Sequence, residues 1–439
     1  MRLSNLTLRD FGPFDLLELE LPPGRRGDRA DVHLLVGPNG TGKTSILQAI
    51  AQLFTPSPTG AIGRIRSDVG SVVGSHGESR LVWRPRRGRE RTIELDGERL
   101  GPLTAETPDH FGSSTGLVLH LMRLSGDQLY GRAPRFSNQH ALVFAYGGQR
   151  HAPVKRLTSV SPLTDNPLAE AGLFSKPESE GAFAQWLANL VAQEALAEKQ
   201  GDEGRAARLT GTLDRVGRAL AAVTGSPVGF RVQADLSAVD LVLDGVPVPH
   251  PQLPAGLGAL IAWVGDLLMR LDRLPWQDDL PIEEREFMLL LDEVEVHLHP
   301  AWQRRVLPMV ERLFPKAQII AATHSPFVIQ SASDAWVHQF ELEGGRSRLE
   351  RTVRGPIGSS YSSVLRALMG VEAEYSVDTE ARLTELEEAR RAVLAGNLPR
   401  AEFDRLAMEL GNVNDELYRL AAMEVRQLEG QLATRAALT

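Results

Sequence analysis

Predominantly apolar runs and longer amphipathic stretches alternate along most of this chain. Such runs are typical of strands buried on both faces of a sheet, and they occur at residues 32–36, 141–145, 287–291 and 318–323. Between them, apolar residues recur at helical spacing. Because buried strands that alternate with helices are typical of parallel sheets, the pattern predicts an α/β fold, a mixed sheet with central parallel strands.

Alternation of apolar and polar positions predicts further strands outside this core. A turn at Asp244-Gly245 closes one of them, as in a hairpin. The predicted segments are 2–8, 16–21, 79–83, 91–95, 116–121, 230–232, 239–243, 336–342 and 347–353.

Helical spacing predicts an inserted helical pair, two core helices and a C-terminal helical group. Asp378 is the predicted cap of the first C-terminal helix, which Gly396 ends. The predicted helices are 180–198, 205–223, 256–271, 300–313, 378–395, 400–410 and 414–428.

These groups predict four regions along the chain. The first, 1–158, is a lobe with antiparallel hairpins, and the second, 159–226, is an inserted helical unit. The third, 227–358, is a second part of the α/β core, and the fourth, 359–439, is a C-terminal helical extension. A chain of 439 residues is expected to form two or three packed units.

Composition narrows the class of protein. The formal net charge is −8, so any contact with nucleic acid must come from a local basic patch or from a partner. The chain has no cysteine, which excludes disulfides, zinc–thiolate sites and cysteine nucleophiles. The start lacks the apolar run of a signal peptide, and no stretch is apolar enough to span a bilayer. We therefore expect a soluble, cytoplasmic protein.

A glycine-rich turn between a predicted strand and a predicted helix carries the first candidate chemistry. Residues 37–44, called the phosphate loop here, fit G-x-x-x-x-G-K-[ST]. Its glycines let backbone N–H groups face an anion, and the helix N-terminus adds partial positive charge. Lys43 is expected to reach the β- and γ-phosphates of ATP, and the Thr44 hydroxyl to bind Mg²⁺. The predicted ATP-binding residues here are Gly37, Pro38, Asn39, Gly40, Thr41, Gly42, Lys43, Thr44 and Ser45.

Two further predicted strands end in chemically active side chains. The run 287–291 is followed by Asp292 and Glu293, the Walker B pattern, in which Asp292 holds Mg²⁺ and Glu293 deprotonates the attacking water. The run 318–323 delivers His324 to a strand end, where an imidazole can contact the γ-phosphate. Glu293 and His324 are the predicted catalytic residues.

Taken together, these motifs resemble the ABC-type ATPases of the RecF-like and SMC-like kind. Residues 296–300 (Val-His-Leu-His-Pro) look like that family's D-loop, and Thr323-His324-Ser325 looks like its switch. The resemblance implies that two copies of the chain pair head to tail across two ATP molecules. His297 and His299 also allow a metal interpretation, but no third ligand is evident nearby, so the D-loop interpretation is favoured.

The family also has a Leu-Ser-x-Gly segment that reaches the partner subunit's nucleotide. Residues 253–259, called the signature-like segment here, keep Gly256 but carry Pro254 where the family has Ser. Gly256 is therefore a predicted ATP contact in trans, and Pro254 implies slow hydrolysis or ATP binding used as a switch. Gln149, after the strand at 141–145, is the Q-loop candidate for ATP binding, although a polar turn explains it nearly as well.

A narrower resemblance concerns the ATPases of bacterial anti-phage systems. The turn at 146–150, the Trp186 helix and the charged C-terminal helices are similar to the Septu-type ATPases, also found beside some retrons. Such ATPases act with a separate HNH-type nuclease. The chain shows neither an HNH pattern nor an acidic Toprim cluster after residue 355, so a nuclease partner is expected.

An arginine cluster on the predicted hairpin at 79–95 leaves two interpretations open. It could bind the phosphate backbone of DNA, or it could be a solvated turn that keeps a sheet edge soluble. The cluster consists of Arg84, Arg86, Arg87, Arg89 and Arg91.

The sequence thus predicts an ATP- and Mg²⁺-dependent homodimer or higher oligomer that hydrolyses ATP slowly and controls an associated nuclease in anti-phage defence. Two alternatives remain. One is a RecF/SMC-like DNA repair ATPase that binds DNA directly, and the other is a non-hydrolysing, nucleotide-dependent scaffold.

Overall fold

A computed structural model gives the fold. For residues 76, 79–85, 91–95, 98–102 and 435–438 the structure describes the backbone alone. The residues described are 2–24, 27–54, 64, 66–67, 70–76, 79–85, 91–95, 98–102, 136, 138, 142–148, 161–164, 167–168, 171–172, 174, 181–233, 239–249, 252–332, 334–355, 358–371 and 373–438.

The central sheet has six strands, five of which run parallel. Strand β3 (Asp31–Val36) lies between β13 (Gln318–Ala322) and β14 (Trp336–Glu343). Beyond β13 follow β12 (Met288–Leu291) and β8 (Val143–Tyr146), both parallel to it. The edge strand β15 (Arg346–Arg354) pairs antiparallel with β14. Every residue of β3, β8, β12 and β13 is buried, as expected for strands covered on both faces, and the predicted mixed α/β fold is confirmed.

A second sheet of six antiparallel strands contributes to the same core. Helix α1 (Lys43–Phe54) contacts strands of both sheets, and nearly all of its side chains are buried, including Ile46 and Ile50. This burial fixes the helix whose first residue is Lys43. The strand order is β2 (Phe14–Glu20), β1 (Asn5–Phe11), β4 (Ser71–His76), β5 (Ser79–Pro85), β6 (Arg91–Leu95) and β7 (Glu98–Pro102).

The predicted helical insertion forms two helices, α2 (Ala182–Gln200) and α3 (Glu203–Thr224). Helix α3 packs on α6 (Pro300–Leu313), which follows β12 in the chain. A small antiparallel sheet of β9 (Val228–Val232), β10 (Val239–Leu243) and β11 (Val246–Val248) adjoins the helical pair.

The helix predicted at 256–271 is interrupted. It consists of α4 (Ala255–Leu260), a π-helical turn (Ile261–Gly265) and α5 (Asp266–Arg273). The Phe183 ring of α2 approaches Gly265 so closely that a Cβ there would lie 2.7 Å from Cε2. Sequence periodicity could not reveal this turn, because a single π-helical turn within a longer helix is too short to change the apolar pattern on either side of it.

The chain divides into two compact units, residues 1–364 and 365–439. The second has its own core, which includes Leu386, Phe403 and Leu428. The predicted boundaries at 158, 226 and 358 stay predictions. The C-terminal helices are α8 (Tyr361–Met369), which spans the division, then α9 (Val377–Ala395), α10 (Arg400–Gly411) and α11 (Asp415–Leu438), and a short α7 (Pro326–Ser331) precedes them all.

The predicted cap of α9 was wrong. Ser376 is the N-cap, and its side chain accepts a hydrogen bond from the Thr379 N–H group, whereas Asp378 lies inside the first turn. Both residue types can cap, but only Ser376 has the extended backbone that a cap needs. An acidic residue in the first turn is still favourable to the helix dipole.

Several predictions fall outside the described residues. These are the strand at 116–121, the Q-loop candidate Gln149, and Arg86, Arg87 and Arg89 of the arginine cluster. Strands β5 and β6 do pair as the predicted hairpin. Within the described part of the chain, no helix combines the length and apolar character required to cross a bilayer.

Candidate nucleotide site

The predicted motifs meet at one edge of the central sheet. Strands β3, β13, β12 and β8 are parallel neighbours, so their carboxyl ends lie side by side. The phosphate loop follows β3, Asp292 and Glu293 follow β12, and His324 lies just beyond β13. Ligands of α/β sheets bind at this edge, which supports a single site built from all four strand ends.

The phosphate loop depends on glycine at two positions where other residues would clash. Gly42 has a φ of +82°, and a Cβ there would lie 2.5 Å from Pro13 Cγ and 2.6 Å from Phe14 Cε2. Gly37 has a φ of +155°, and a Cβ there would overlap the Phe340 carbonyl oxygen. The loop is thus pressed against the β1–β2 turn on one side and against β14 on the other.

The Lys43 side chain folds back on this loop. Its Nζ donates hydrogen bonds to the carbonyl oxygens of Gly37 and Pro38, at 2.8 Å each. Burial lowers the pKa of Lys43 to about 8, against the opposing attraction of the Asp292, Glu295 and Glu293 carboxylates. The three carboxylates favour the charged form of Lys43, which is the form that can bind an anionic phosphate chain.

The predicted Mg²⁺ ligands, Thr44 and Asp292, differ in exposure. Thr44 is half-buried in the first turn of α1, and Asp292 is 8% exposed, with its N–H group donating to the Tyr146 carbonyl at 2.8 Å. One hydroxyl and one carboxylate fit Mg²⁺, which usually keeps several waters and takes other ligands from substrate phosphates. The neighbouring Ser45 hydroxyl accepts from Arg64 at 2.6 Å.

Glu293 is exposed and adopts a φ of +49°, a left-handed conformation that is uncommon for a non-glycine residue. A Cβ at Gly148 would overlap its Oε2 atom. Gly148 follows β8, immediately before the Q-loop candidate. The turn after β8 therefore approaches the predicted catalytic carboxylate closely, and glycine makes this approach possible.

Glu295, which was not among the predicted site residues, is hydrogen-bonded to the switch. Its Oε2 accepts from the Thr323 hydroxyl at 2.7 Å, and its Oε1 accepts from the His324 N–H group at 2.6 Å. Burial lowers the pKa of His324, as does Lys43, while Glu295 and Glu293 act in the opposite direction. The only signal in the sequence was a second carboxylate two positions after Glu293.

The next residue of the switch, Ser325, is fixed as well. Its hydroxyl donates to Gln303 Oε1 of α6 at 2.5 Å and accepts from the Phe327 and Val328 N–H groups at the start of α7. Gln303 Nε2 in turn donates to the Leu298 carbonyl of the D-loop at 2.8 Å. The D-loop, α6 and the switch are therefore connected by side-chain hydrogen bonds.

The two D-loop histidines have separate structural positions. His299 caps α6, where its Nδ1 accepts from the Ala301 N–H group at 3.2 Å, and His297 has a φ of +65°. Among the residues that the structure describes, no three His, Asp or Glu side chains are grouped as metal ligands would be.

The signature-like segment contacts the D-loop of its own chain. Gly256 is buried, and a Cβ there would lie 2.6 Å from the His297 carbonyl oxygen and 3.2 Å from the Trp302 ring. Pro254 is exposed, and its carbonyl accepts from the Leu257 and Gly258 N–H groups at the start of α4. The helix starts without a side-chain cap, as expected where proline replaces serine.

A buried polar link attaches the following helix to β8. Asp266 Oδ2 accepts from the Tyr146 hydroxyl and from Arg270 Nε, both at 2.7 Å. Asp266 is 4% exposed and Arg270 6%. The end of β8, beside Gly148, is thereby fixed to the helix that carries the signature-like segment.

Comparison with known proteins shows the family to which the chain belongs. The profile of one family, described as "AAA domain, putative AbiEii toxin, Type IV TA system", matches residues 32–330, from the strand before the phosphate loop to the helix after the switch. This chain belongs to that family. A second AAA-domain profile matches residues 1–60. The prediction of an AAA-family ATPase of the ABC type is confirmed.

The curated relatives include a Septu protein and a retron ATPase. The chain is 34% identical to the Septu protein PtuA of Bacillus thuringiensis over 82 residues. This aligned segment is 18% of this chain and 21% of the relative. It is 31% identical over 125 residues to the Retron Ec83 probable ATPase of Escherichia coli, 28% of this chain and 22% of the relative. These matches span about a fifth of each relative's length. The predicted resemblance to Septu and retron ATPases is confirmed over these segments.

One further curated relative and one solved structure are also similar to this chain. The chain is 28% identical over 222 residues to the DNA replication and repair protein RecF of Escherichia coli, 44% of this chain and 58% of the relative. A solved SMC head, bound to the C-winged helix domain of ScpA, shares 13% identity with a TM-score of 0.47, over 81% of this chain and 98% of that one.

Proposed function

We propose that the protein is a dimeric, ATP-hydrolysing switch that controls a separate nuclease in anti-phage defence. One observation supports the ATPase assignment. Four predicted site residues lie at one edge of the central sheet, namely Lys43, Asp292, Glu293 and His324. The defence role and the HNH-type nuclease partner rest on the Septu and retron relatives.

Each residue has a role in the proposed reaction. The phosphate loop from Gly37 to Thr44 binds the triphosphate through backbone N–H groups, and Lys43 turns from its carbonyl partners to the β- and γ-phosphates. Mg²⁺, held by Thr44 and Asp292, supplies positive charge to the phosphate oxygens when bound.

Glu293 accepts a proton from the attacking water as its oxygen bonds to the γ-phosphorus. The bond between the γ-phosphorus and the β–γ bridging oxygen breaks, and ADP leaves with that electron pair. The neutral His324 imidazole donates to a γ-phosphate oxygen. A general base of this kind contributes about 10²–10⁴-fold in rate.

The second copy would complete the site. In the proposed head-to-tail dimer, Gly256 of each chain faces the ATP held by the other, and Gln149 contacts its own chain's nucleotide. Pro254 has no side-chain donor, so we expect slow turnover that suits a regulatory switch.

Two substitutions test the ATPase. Lys43→Ala is expected to abolish ATP binding, measured by titration with a fluorescent ATP analogue. Glu293→Gln is expected to bind ATP, lose hydrolysis and accumulate as a dimer, measured by light scattering on a sizing column. Hydrolysis by Glu293→Gln at the parental rate would show that another group is the base.

An arginine-lined groove between α3 and α6 favours a second candidate, direct contact with DNA. Arg215 pairs with Glu283 at 2.6 Å, but within the described residues Arg218, Arg304 and Arg312 take part in no ion pair. The groove has a volume of about 380 Å³ and is lined by Arg215, Arg218, Arg304, Arg305 and Arg312. It is a local basic patch, although the net charge of the chain is −8.

Salt dependence of duplex binding tests this candidate. Each phosphate contact contributes about 0.9 to the slope of log K against log salt, so replacing Arg218, Arg304 and Arg312 by Ala should lower the slope by about 2–3. A control variant with Arg346, Arg348 and Arg351 of β15 replaced by Ala loses the same charge. Equal slopes for both variants would exclude the groove as the DNA site.

A further inference from the structure

Glu295 connects the ends of two neighbouring strands. It lies between the Walker B residues after β12 and the D-loop, and it reaches across to the residues that follow β13. One carboxylate oxygen binds the Thr323 hydroxyl at 2.7 Å and the other binds the His324 N–H group at 2.6 Å. Because both oxygens are engaged by consecutive residues, the carboxylate restrains both the position and the orientation of the switch backbone.

The bonds around Glu295 extend this restraint. The Thr323 hydroxyl accepts from the Ser325 N–H group at 3.0 Å while it donates to Glu295. Gln303 holds the Ser325 hydroxyl from the other side. Three consecutive residues, with His324 in the middle, are therefore held by side chains that follow β12.

Glu293 and Glu295 have different environments. Glu293 is exposed, as a group that must meet water needs to be, whereas Glu295 is half-buried and has both oxygens engaged by the switch. A carboxylate in that position is suited to orient a neighbour rather than to take a proton from water.

We propose that Glu295 is a positioning residue that aims the His324 imidazole at the γ-phosphate, so that hydrolysis depends on it while ATP binding does not. The proposal rests on the proposed ATPase function. It also gives the D-loop a means of acting on catalysis. Gly256 packs on the His297 carbonyl, two residues after Glu295, so a displacement of the D-loop is passed to the switch through the Glu295 carboxylate.

The test compares Glu295→Gln, Glu295→Asp and the control Glu341→Gln. Glu341 lies on β14 and pairs with the exposed Arg348, so the control removes the same charge away from the site. For each variant, kcat is measured by phosphate release, ATP affinity with a fluorescent analogue, and Tm by thermal unfolding. Hydrogen exchange of the 318–325 backbone is followed in the nucleotide-free protein.

Glu295→Gln keeps the shape but loses the charge and one acceptor. Loss of a supporting partner of this kind typically costs about 10–100-fold in activity, so kcat should fall by that amount while the ATP dissociation constant and Tm stay near the parental values. The His324 amide should exchange faster. Glu295→Asp keeps the charge on a shorter chain and should recover part of kcat, and Glu341→Gln should match the parent.

Three results would overturn the proposal. One is a parental kcat in Glu295→Gln, another is a loss of ATP affinity in parallel with kcat, and the third is unchanged exchange of the His324 amide. The exchange measurement needs no turnover. If the parental protein failed to hydrolyse ATP, the proposed function would fail while the Glu295–His324 link was still tested.

Discussion

The buried link between Tyr146, Asp266 and Arg270 allows a quantitative prediction. Arg270 Nε donates to Asp266 Oδ2 at 2.7 Å, and an Arg270 terminal nitrogen, Nη1, donates to the Pro167 carbonyl, also at 2.7 Å. Arg270→Met removes the cation but leaves the Asp266 charge in an environment with 4% exposure. Breaking a buried ion pair in this way costs about 3–5 kcal/mol of the free energy of unfolding.

Two companion variants separate the charge effect from loss of packing. Tyr146→Phe removes one hydrogen bond to a charged group and should cost about 1.5–3 kcal/mol. The double variant Asp266→Leu, Arg270→Met removes both charges and should be far more stable than Arg270→Met alone, since apolar replacement of a buried ion pair is often nearly neutral.

Urea unfolding of the nucleotide-free variants measures these differences. With the single variant Asp266→Leu measured as well, the interaction energy follows from the double-mutant cycle, which is informative for residues in direct contact. If Arg270→Met lowers the free energy of unfolding by less than about 1 kcal/mol, the Asp266 carboxylate does not stay charged and buried in the variant. A double variant as unstable as Arg270→Met would assign the loss to packing instead.

Three further predictions concern the candidate site and the neighbouring strand β14. Gly42→Ala should abolish binding of a fluorescent ATP analogue, because a Cβ there would overlap the Phe14 ring at a φ of +82°; binding at parental affinity would contradict this. Gly148→Ala should displace the Glu293 carboxylate and lower phosphate release more than ATP affinity, and equal losses would contradict it. Burial lowers the pKa of His338 on β14 to about 4 from 6.5, so its contribution to the free energy of unfolding should be constant above pH 6.5 and be lost as the pH drops toward 4, by up to roughly 3 kcal/mol. Urea midpoints across that range would check this, and His338→Gln should flatten the acid decline.

The sequence predicted the parts of the site that depend on strand ends. The runs before Gly37, Asp292 and His324 are almost wholly apolar, which identifies buried parallel strands, and parallel strands bring their carboxyl ends to one edge. The position of the site follows from these two facts alone.

Other features depend on contacts between residues distant in sequence. Glu295 reaches the switch because the chain reverses after Glu293, whose left-handed backbone has no signature in the sequence. Gly148 is informative only once the Glu293 carboxylate is seen beside it. The cap of α9 was misassigned because Ser376 and Asp378 are both good capping residues, and backbone conformation decides between them.

The strand order of the central sheet has a consequence for synthesis of the protein. Strand β3 is translated well before its two neighbours, β13 and β14, which begin at residues 318 and 336. At about 5–20 residues per second, this predominantly apolar strand waits on the order of 15–60 s for its partners. The nascent chain therefore carries a phosphate loop without its supporting sheet until β13 and β14 have been made. Folding of the ATP site, and any control that depends on bound ATP, can begin only after the chain has been translated through β14.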